Sequence, residues 1–190
     1  VALKKVFRQA KTSTIVTNAH AIINGESSDL SNKSNDFFMM HRDFSADVCD
    51  TVLELCDTRL PQAYNFNPLT DIQVLCPSRL MDMGSVSLNN MLQYRLNAKT
   101  GDYEKIIFKG FELREGDKVM HIRNDYDIVW TRDSGESGTG VFNGDIGLLE
   151  KIDPREQSMQ VRYEDRVAYY SFEQAQELEP AYAITVHKSQ

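Results

Sequence analysis

The sequence predicts an α/β fold: helices layered on a mostly parallel sheet, with a small β-barrel inserted. Three observations predict it. Residues 14–97 alternate between helical spacing and short apolar runs. From Lys105 to Ser171 the pattern becomes short β-branched stretches with Gly and Asp at the turns. After Phe172 the pattern turns mixed again, which suggests a return to the first domain.

The elements follow in order. Ser13 is a candidate N-cap, and Ile15, Ala19, Ile22 and Ile23 recur at helical spacing before Gly25, so a helix is expected over Thr14–Asn24. A polar stretch, Glu26 to Asp36, reads as a loop. Phe37-Phe38-Met39-Met40 reads as a buried strand. Ser45 opens a second helix with Val48, Val52, Leu55, Cys56 and Leu60 inward, and Pro61 and the Asn/Pro segment Asn65 to Pro68 break it. Ile72–Cys76, closed by Pro77, reads as a strand, and residues 84–97 as a third helix with Val86, Leu88, Leu92 and Leu96 inward. The insert's strands are expected at 105–108, 118–123, 128–130, 147–152, 158–163 and 167–171. Asp133 to Gly140 reads as a mobile loop tip.

Composition excludes several classes. The 190 residues are 41% hydrophobic and 26% charged, near globular averages. No apolar run approaches the ~20 residues of a membrane span, and no secretory leader is recognisable, so a cytoplasmic protein without a membrane is expected. The opening residues, Val1 to Arg8, read as the middle of a domain, so an excised fragment is expected. Three cysteines without a CxxC pair argue against a disulfide framework or a zinc site, and Cys49 and Cys56 are expected in a core. Net charge is -7, which weighs against nucleic-acid binding through bulk charge alone. The distribution is uneven: Lys4, Lys5, Arg8 and Lys11 lie in a stretch of 25 residues without an acid. A local basic strip on an acidic body is compatible with a nucleic-acid groove.

Four segments carry the most information. The first is Phe7-Arg8-Gln9-Ala10 with Asn18-Ala19-His20 and Asn24. The second runs from Cys76-Pro77 to Gly84 and continues with Leu88-Asn89 and Leu92-Gln93. The third joins Gly116-Asp117-Lys118-Val119, Asn124-Asp125-Tyr126-Asp127 and Val141-Phe142-Asn143-Gly144-Asp145-Ile146-Gly147. The fourth is Ala181 to Gln190. In this order they resemble the RecD-type superfamily 1 DNA helicases, the family of the exodeoxyribonuclease V alpha subunit.

The resemblance implies a partial RecA-like domain of the P-loop NTPase type, with an inserted SH3-like barrel. It places the RecA-like part at 1–104, the insert at 105–177 and the return, helicase motif V, at 178–190. It implies a 5′-to-3′ DNA motor hydrolysing ATP with Mg²⁺ between two RecA-like halves. Single-stranded DNA and the N-terminal half are the implied partners, with RecB- or RecC-type subunits in a nuclease assembly, and DNA repair and recombination the setting. The chain has no GxxxxGK[ST] phosphate loop. The fragment alone is therefore expected not to turn over ATP. An alternative reading is a non-catalytic DNA-binding or subunit-docking module of a RecBCD-type exodeoxyribonuclease.

Arg8 is the candidate catalytic and ATP-contacting residue, with Gln9 beside it. By resemblance its guanidinium reaches the γ-phosphate, where a fixed positive charge stabilises the transferred group. Without the resemblance it reads as a surface arginine. Asn18 and His20 share a helix face that would present polar groups to DNA. Arg123, Asn124 and Tyr126 follow a strand of the insert, where an aromatic stacks on bases and a cation meets phosphate. Thr185, His187, Lys188, Ser189 and Gln190 end the chain as a polar cluster suited to a DNA backbone; the bland reading is a capped helix start. Trp130 reads first as packing inside the barrel, with base stacking the alternative. Residues 142–147 read as conformational, with Asn143-Gly144 a tight turn. His20 and His41 lack metal-ligand spacing, so no metal site is expected. His121 is expected on the insert's surface.

Overall fold

The computed structural model describes residues 13–34 and 36–189. Arg8, Gln9 and Gln190 lie outside the described residues. The chain divides into two compact units, residues 1–43 and 44–190.

In the first unit, helix α1 spans Thr14–Asn24, as its spacing predicts. Ser13 precedes it in extended conformation but makes no side-chain cap. The cap comes from Asp36, whose carboxylate accepts from Thr14 N at 3.1 Å. Gly25 closes the helix at φ 75°, and Glu26 N donates to Ala21 O at 2.8 Å. The strand expected at Phe37–Met40 is absent. The Asn32 side chain accepts from Met39 N at 2.6 Å and donates to Met39 O at 2.8 Å. Ser34 likewise brackets Phe37. With these side chains satisfying the backbone locally, the apolar run needs no partner strand, and Phe38, Met39 and Met40 are exposed.

The second unit is mixed α/β. Helix α2 (Ser45–Glu54) runs through a π-helical turn (Leu55–Arg59) into α3 (Leu60–Tyr64). Pro61 therefore does not break the helix. It sits in the first turn of α3, where the π-turn has already displaced the bonding register that proline cannot join. The end comes at Asn65, at φ 58°, the start of the Asn/Pro segment expected to break it. Strand β1 (Val74–Cys76) and helix α4 (Ser85–Leu96) follow.

The insert opens with a hairpin of β2 (Lys105–Phe108) and β3 (Phe111–Arg114). Next come β4 (Lys118–His121), β5 (Asp125–Arg132), β6 (Ser137–Val141), β7 (Ile146–Asp153), β8 (Ser158–Tyr163), β9 (Arg166–Ser171) and β10 (Leu178–Pro180). They form one antiparallel sheet in the order β10-β4-β7-β8-β9-β5-β6. The pairing is linear, with β10 and β6 at its edges. Segment 133–140, expected as a loop tip, is half strand: it supplies the turn into β6 and most of β6 itself. Alternating inward residues, among them Leu113, Val119, Ile128, Val141, Leu149, Val161 and Tyr170, make the insert's core.

The chain then returns in β11 (Ala183–Thr185), which pairs parallel with β1. The mostly parallel sheet expected from the sequence is thus a single parallel pair among the described residues. A second core joins Cys49, Cys56, Cys76, Leu88, Leu92, Tyr182 and Ala183. All three cysteines are buried and free: Cys49 and Cys56 fill a core as expected, and Cys76 joins them. Burial pushes the Cys56 thiol up to about 11, so it stays protonated.

Candidate functional site

The site is built where β11 meets the insert. Its foundation is a carboxylate. Asp117 is fully buried and accepts from Gln93 Nε2 at 2.6 Å, Asn97 Nδ2 at 2.7 Å, Tyr182 Oη at 2.8 Å and Arg114 N at 2.9 Å. Spacing by four residues aligns Asn89 and Gln93 on α4 with Asn97 at its C-cap. Gln93 and Asn97 reach Asp117. Asn89 donates to Ala183 O at 2.8 Å and accepts from Ala183 N at 2.9 Å, acting as an extra rung beside β11. One buried network therefore ties α4, the insert and the strand leading to residue 185. Burial pushes the Asp117 carboxyl up, opposed by its hydrogen bonds from Asn97, Arg114, Tyr182 and Gln93.

Beyond β11 the chain makes a 3₁₀ turn over Val186–Lys188. Thr185 is half-buried, His187 exposed and Lys188 half-buried. With Arg79, Ser85 and Asn89 they line a cavity of about 190 Å³. Arg79 is held there by a two-pronged ion pair to Glu179, at 2.8 and 3.0 Å. Ser189 is exposed, and its hydroxyl donates to Val186 O at 2.7 Å.

The insert contributes a second cluster. Lys188 Nζ donates to Asn143 Oδ1 at 3.1 Å, and Asn143 N donates to Asn124 Oδ1 at 3.0 Å. Next to this chain Tyr126 and Phe142 meet edge to face at 5.7 Å, both exposed. Gly140 lets this pair form: at φ 102°, a Cβ there would stand 3.3 Å from the Phe142 ring. Arg123 is mostly exposed and faces Glu177 at 3.5 Å.

The structure thus brings Asn124, Tyr126, Thr185, His187, Lys188 and Ser189 into one region of the second unit, with Arg123 on the adjoining strand end. Asn18 and His20 belong to the first unit. Asn18 does not present its amide outward: it is buried and spends both ends on Asp29, at 3.0 and 2.7 Å. His20 is exposed on α1. Trp130 packs against the insert's core, with the guanidinium groups of Arg132 and Arg166 each 5.3 Å from its ring. His121 corrects the surface expectation, being fully buried. Its strand, β4, lies inside the sheet between β10 and β7, and the ring faces Tyr170. Asp117, Phe142 and Asn143 lay within motifs legible in the sequence, but their roles depend on contacts 16–65 residues apart in the chain.

Residues 88–163 match the family described as the ATP-dependent RecD-like DNA helicase SH3 domain. Over all 190 residues the chain is 29% identical to the ATP-dependent RecD2 DNA helicase of Deinococcus radiodurans. It resembles the RecD-like superfamily 1 helicases. The chain spans 23% of that relative's length. An uncharacterized protein of Methanocaldococcus jannaschii is 29% identical over 157 residues, 74% of this chain and 13% of that protein. Among solved structures, Bacteroides Pif1 bound to ssDNA superposes with a TM-score of 0.47 at 15% identity, over 98% of this chain and 42% of the other.

Proposed function

We propose that this chain is part of an ATP-dependent 5′-to-3′ DNA helicase, supplying grip on single-stranded DNA and an arginine to the ATP site. In this reading the unit around β1, β11 and α4 is the edge of a second RecA-like domain, and residues 105–177 are its SH3-like insert. Thr185, His187, Lys188 and Ser189 meet the strand's backbone. Asn124, Tyr126 and Arg123 meet it from the insert. Arg8, with Gln9, reaches the γ-phosphate of ATP held by the N-terminal half. That half also holds Mg²⁺: this chain carries no GxxxxGK[ST] loop, and among its described residues no three His, Cys, Asp or Glu side chains stand together as a metal site. The chain alone is inactive as an ATPase. Its setting is the cytoplasm, in DNA repair or recombination.

One observation carries the proposal. An exposed aromatic pair and an exposed amide lie on the same surface as a lysine that makes no ion pair among the described residues. Aromatic faces stack bases without regard to sequence, and ammonium groups neutralise phosphates, so the pairing suits a single strand. The net charge of -7 fits local rather than bulk attraction.

The test uses the full-length protein that carries this chain. Tyr126→Ala weakens oligonucleotide binding by about 1–3 kcal/mol and leaves ATP turnover at saturating DNA intact. Arg8→Ala does the reverse. Unchanged DNA affinity in the first variant, or an unchanged hydrolysis rate in the second, refutes the corresponding assignment.

A further inference from the structure

The turn between β6 and β7 is fixed through three of its backbone N–H groups. Phe142 N donates to Asp145 Oδ2 at 3.0 Å, Gly144 N to His121 O at 2.8 Å, and Asn143 N to Asn124 Oδ1 at 3.0 Å. Gly144 takes φ 98°, a conformation glycine adopts freely. The Asn143 side chain is exposed on this rigid turn and meets Lys188. An ammonium only donates, so the asparagine must turn its carbonyl oxygen inward and its NH₂ outward. That NH₂ has no hydrogen-bond partner among the described residues.

We propose that Asn143 is a positioning residue that builds a two-donor phosphate site with Lys188. The inference rests on the single-strand reading above. A neutral carbonyl holds the lysine in place without cancelling its charge, whereas a carboxylate would do both. Holding the chain beforehand reduces the rotamer freedom lost when a phosphate arrives. The outward NH₂ then supplies a second donor beside the ammonium. The site spans two segments 45 residues apart, so neither the insert nor the β11 end forms it alone.

The experiment measures affinity for an oligothymidylate against salt concentration, in the full-length protein. Four variants are compared: Lys188→Met, Asn143→Asp, their double and Asn143→Ala. Aspartate suits the same turn before Gly144, so Asn143→Asp keeps the fold. Lys188→Met reduces the slope of log affinity against log salt by about 0.7, the share of one phosphate contact on a single strand. Asn143→Asp pairs with the lysine, gives the same loss of slope, and weakens binding on the order of tenfold. The double variant loses both donors and leaves an unpaired carboxylate, so it is weaker than either single one. Asn143→Ala keeps the slope, because the charge survives, and weakens binding less. If Lys188→Met weakens binding and Asn143→Asp does not, the positioning role is overturned and the single-strand reading stands. If Lys188→Met itself changes nothing, the reading of this end as a strand contact falls as well.

Discussion

Asp117 and Asn143 sit in neighbouring motifs of the same insert, and each joins it to the chain beyond β10. They do so in opposite ways. Asp117 is fully buried and its partners are internal: Gln93, Asn97, Tyr182, the Arg114 backbone and, at 3.9 Å, the buried Arg114 guanidinium. Asn143 is exposed, and its link to Lys188 leaves a donor pointing outward. The first junction is closed and holds the parts in register. The second is open and has hydrogen-bonding capacity left for a ligand. Burial and unspent donors, not residue type, separate a structural joint from a binding surface.

The largest effect that tests this contrast comes from the closed joint. Asp117→Ala strands the amides of Gln93 and Asn97, the Tyr182 hydroxyl and the Arg114 backbone donor in a buried space. Such unpaired groups cost about 3–5 kcal/mol together. Denaturant titration should show that loss as a lower midpoint. A midpoint within experimental error of the unaltered protein would mean the network carries no structural load. Next in size is Gly147→Ala. A Cβ there would stand 2.5 Å from Arg162 O and 2.8 Å from Val161 Cγ1, on the strand pairing next to it. The sheet must spread, at about 1–3 kcal/mol. An unchanged thermal midpoint would show that the β7–β8 ladder tolerates that shift.

Legibility in the sequence followed the range of the interaction. Helix α1 matched its expected limits because its signals, apolar spacing and Gly25, lie in the helix or at its cap. The same holds for α4 and most insert strands. Phe37–Met40 misled because the apolar run resembled a strand, while the competing bonds came from Asn32 and Ser34 side chains. Pro61 misled because a proline signal is local, whereas the π-turn before it is a packing outcome. At the site, Tyr126, Asn124 and Lys188 were singled out by their motifs. That Asn143 would bind Lys188, and that Asn18 would turn inward to Asp29, required the third dimension.

The smallest expected effect lies between the two joints, at His121. Its backbone holds the open turn, accepting from Gly144 N at 2.8 Å and donating to Asp145 O at 2.9 Å. Its ring belongs to the closed interior. Nδ1 stands 3.4 Å from the Tyr170 hydroxyl, which in turn meets Tyr163 Oη at 2.6 Å. Nε2 is 3.5 Å from the Glu177 carboxylate, yet makes no hydrogen bond. Burial pulls the imidazole pKa below its ordinary value, against the opposing charges of Glu177, Asp125 and Asp145. The unfolded chain, with a histidine pKa near about 6.5, then binds a proton more readily than the fold does. The His121 contribution is therefore complete above that value and is lost as pH falls through the lower, folded one. Unfolding midpoints measured from about pH 8 to pH 5 should decline on the acid side of this window, and His121→Gln should flatten that decline. If the slope is the same in both proteins, the acid sensitivity arises elsewhere. The Asn143 turn would then be insulated from the buried ring beneath it.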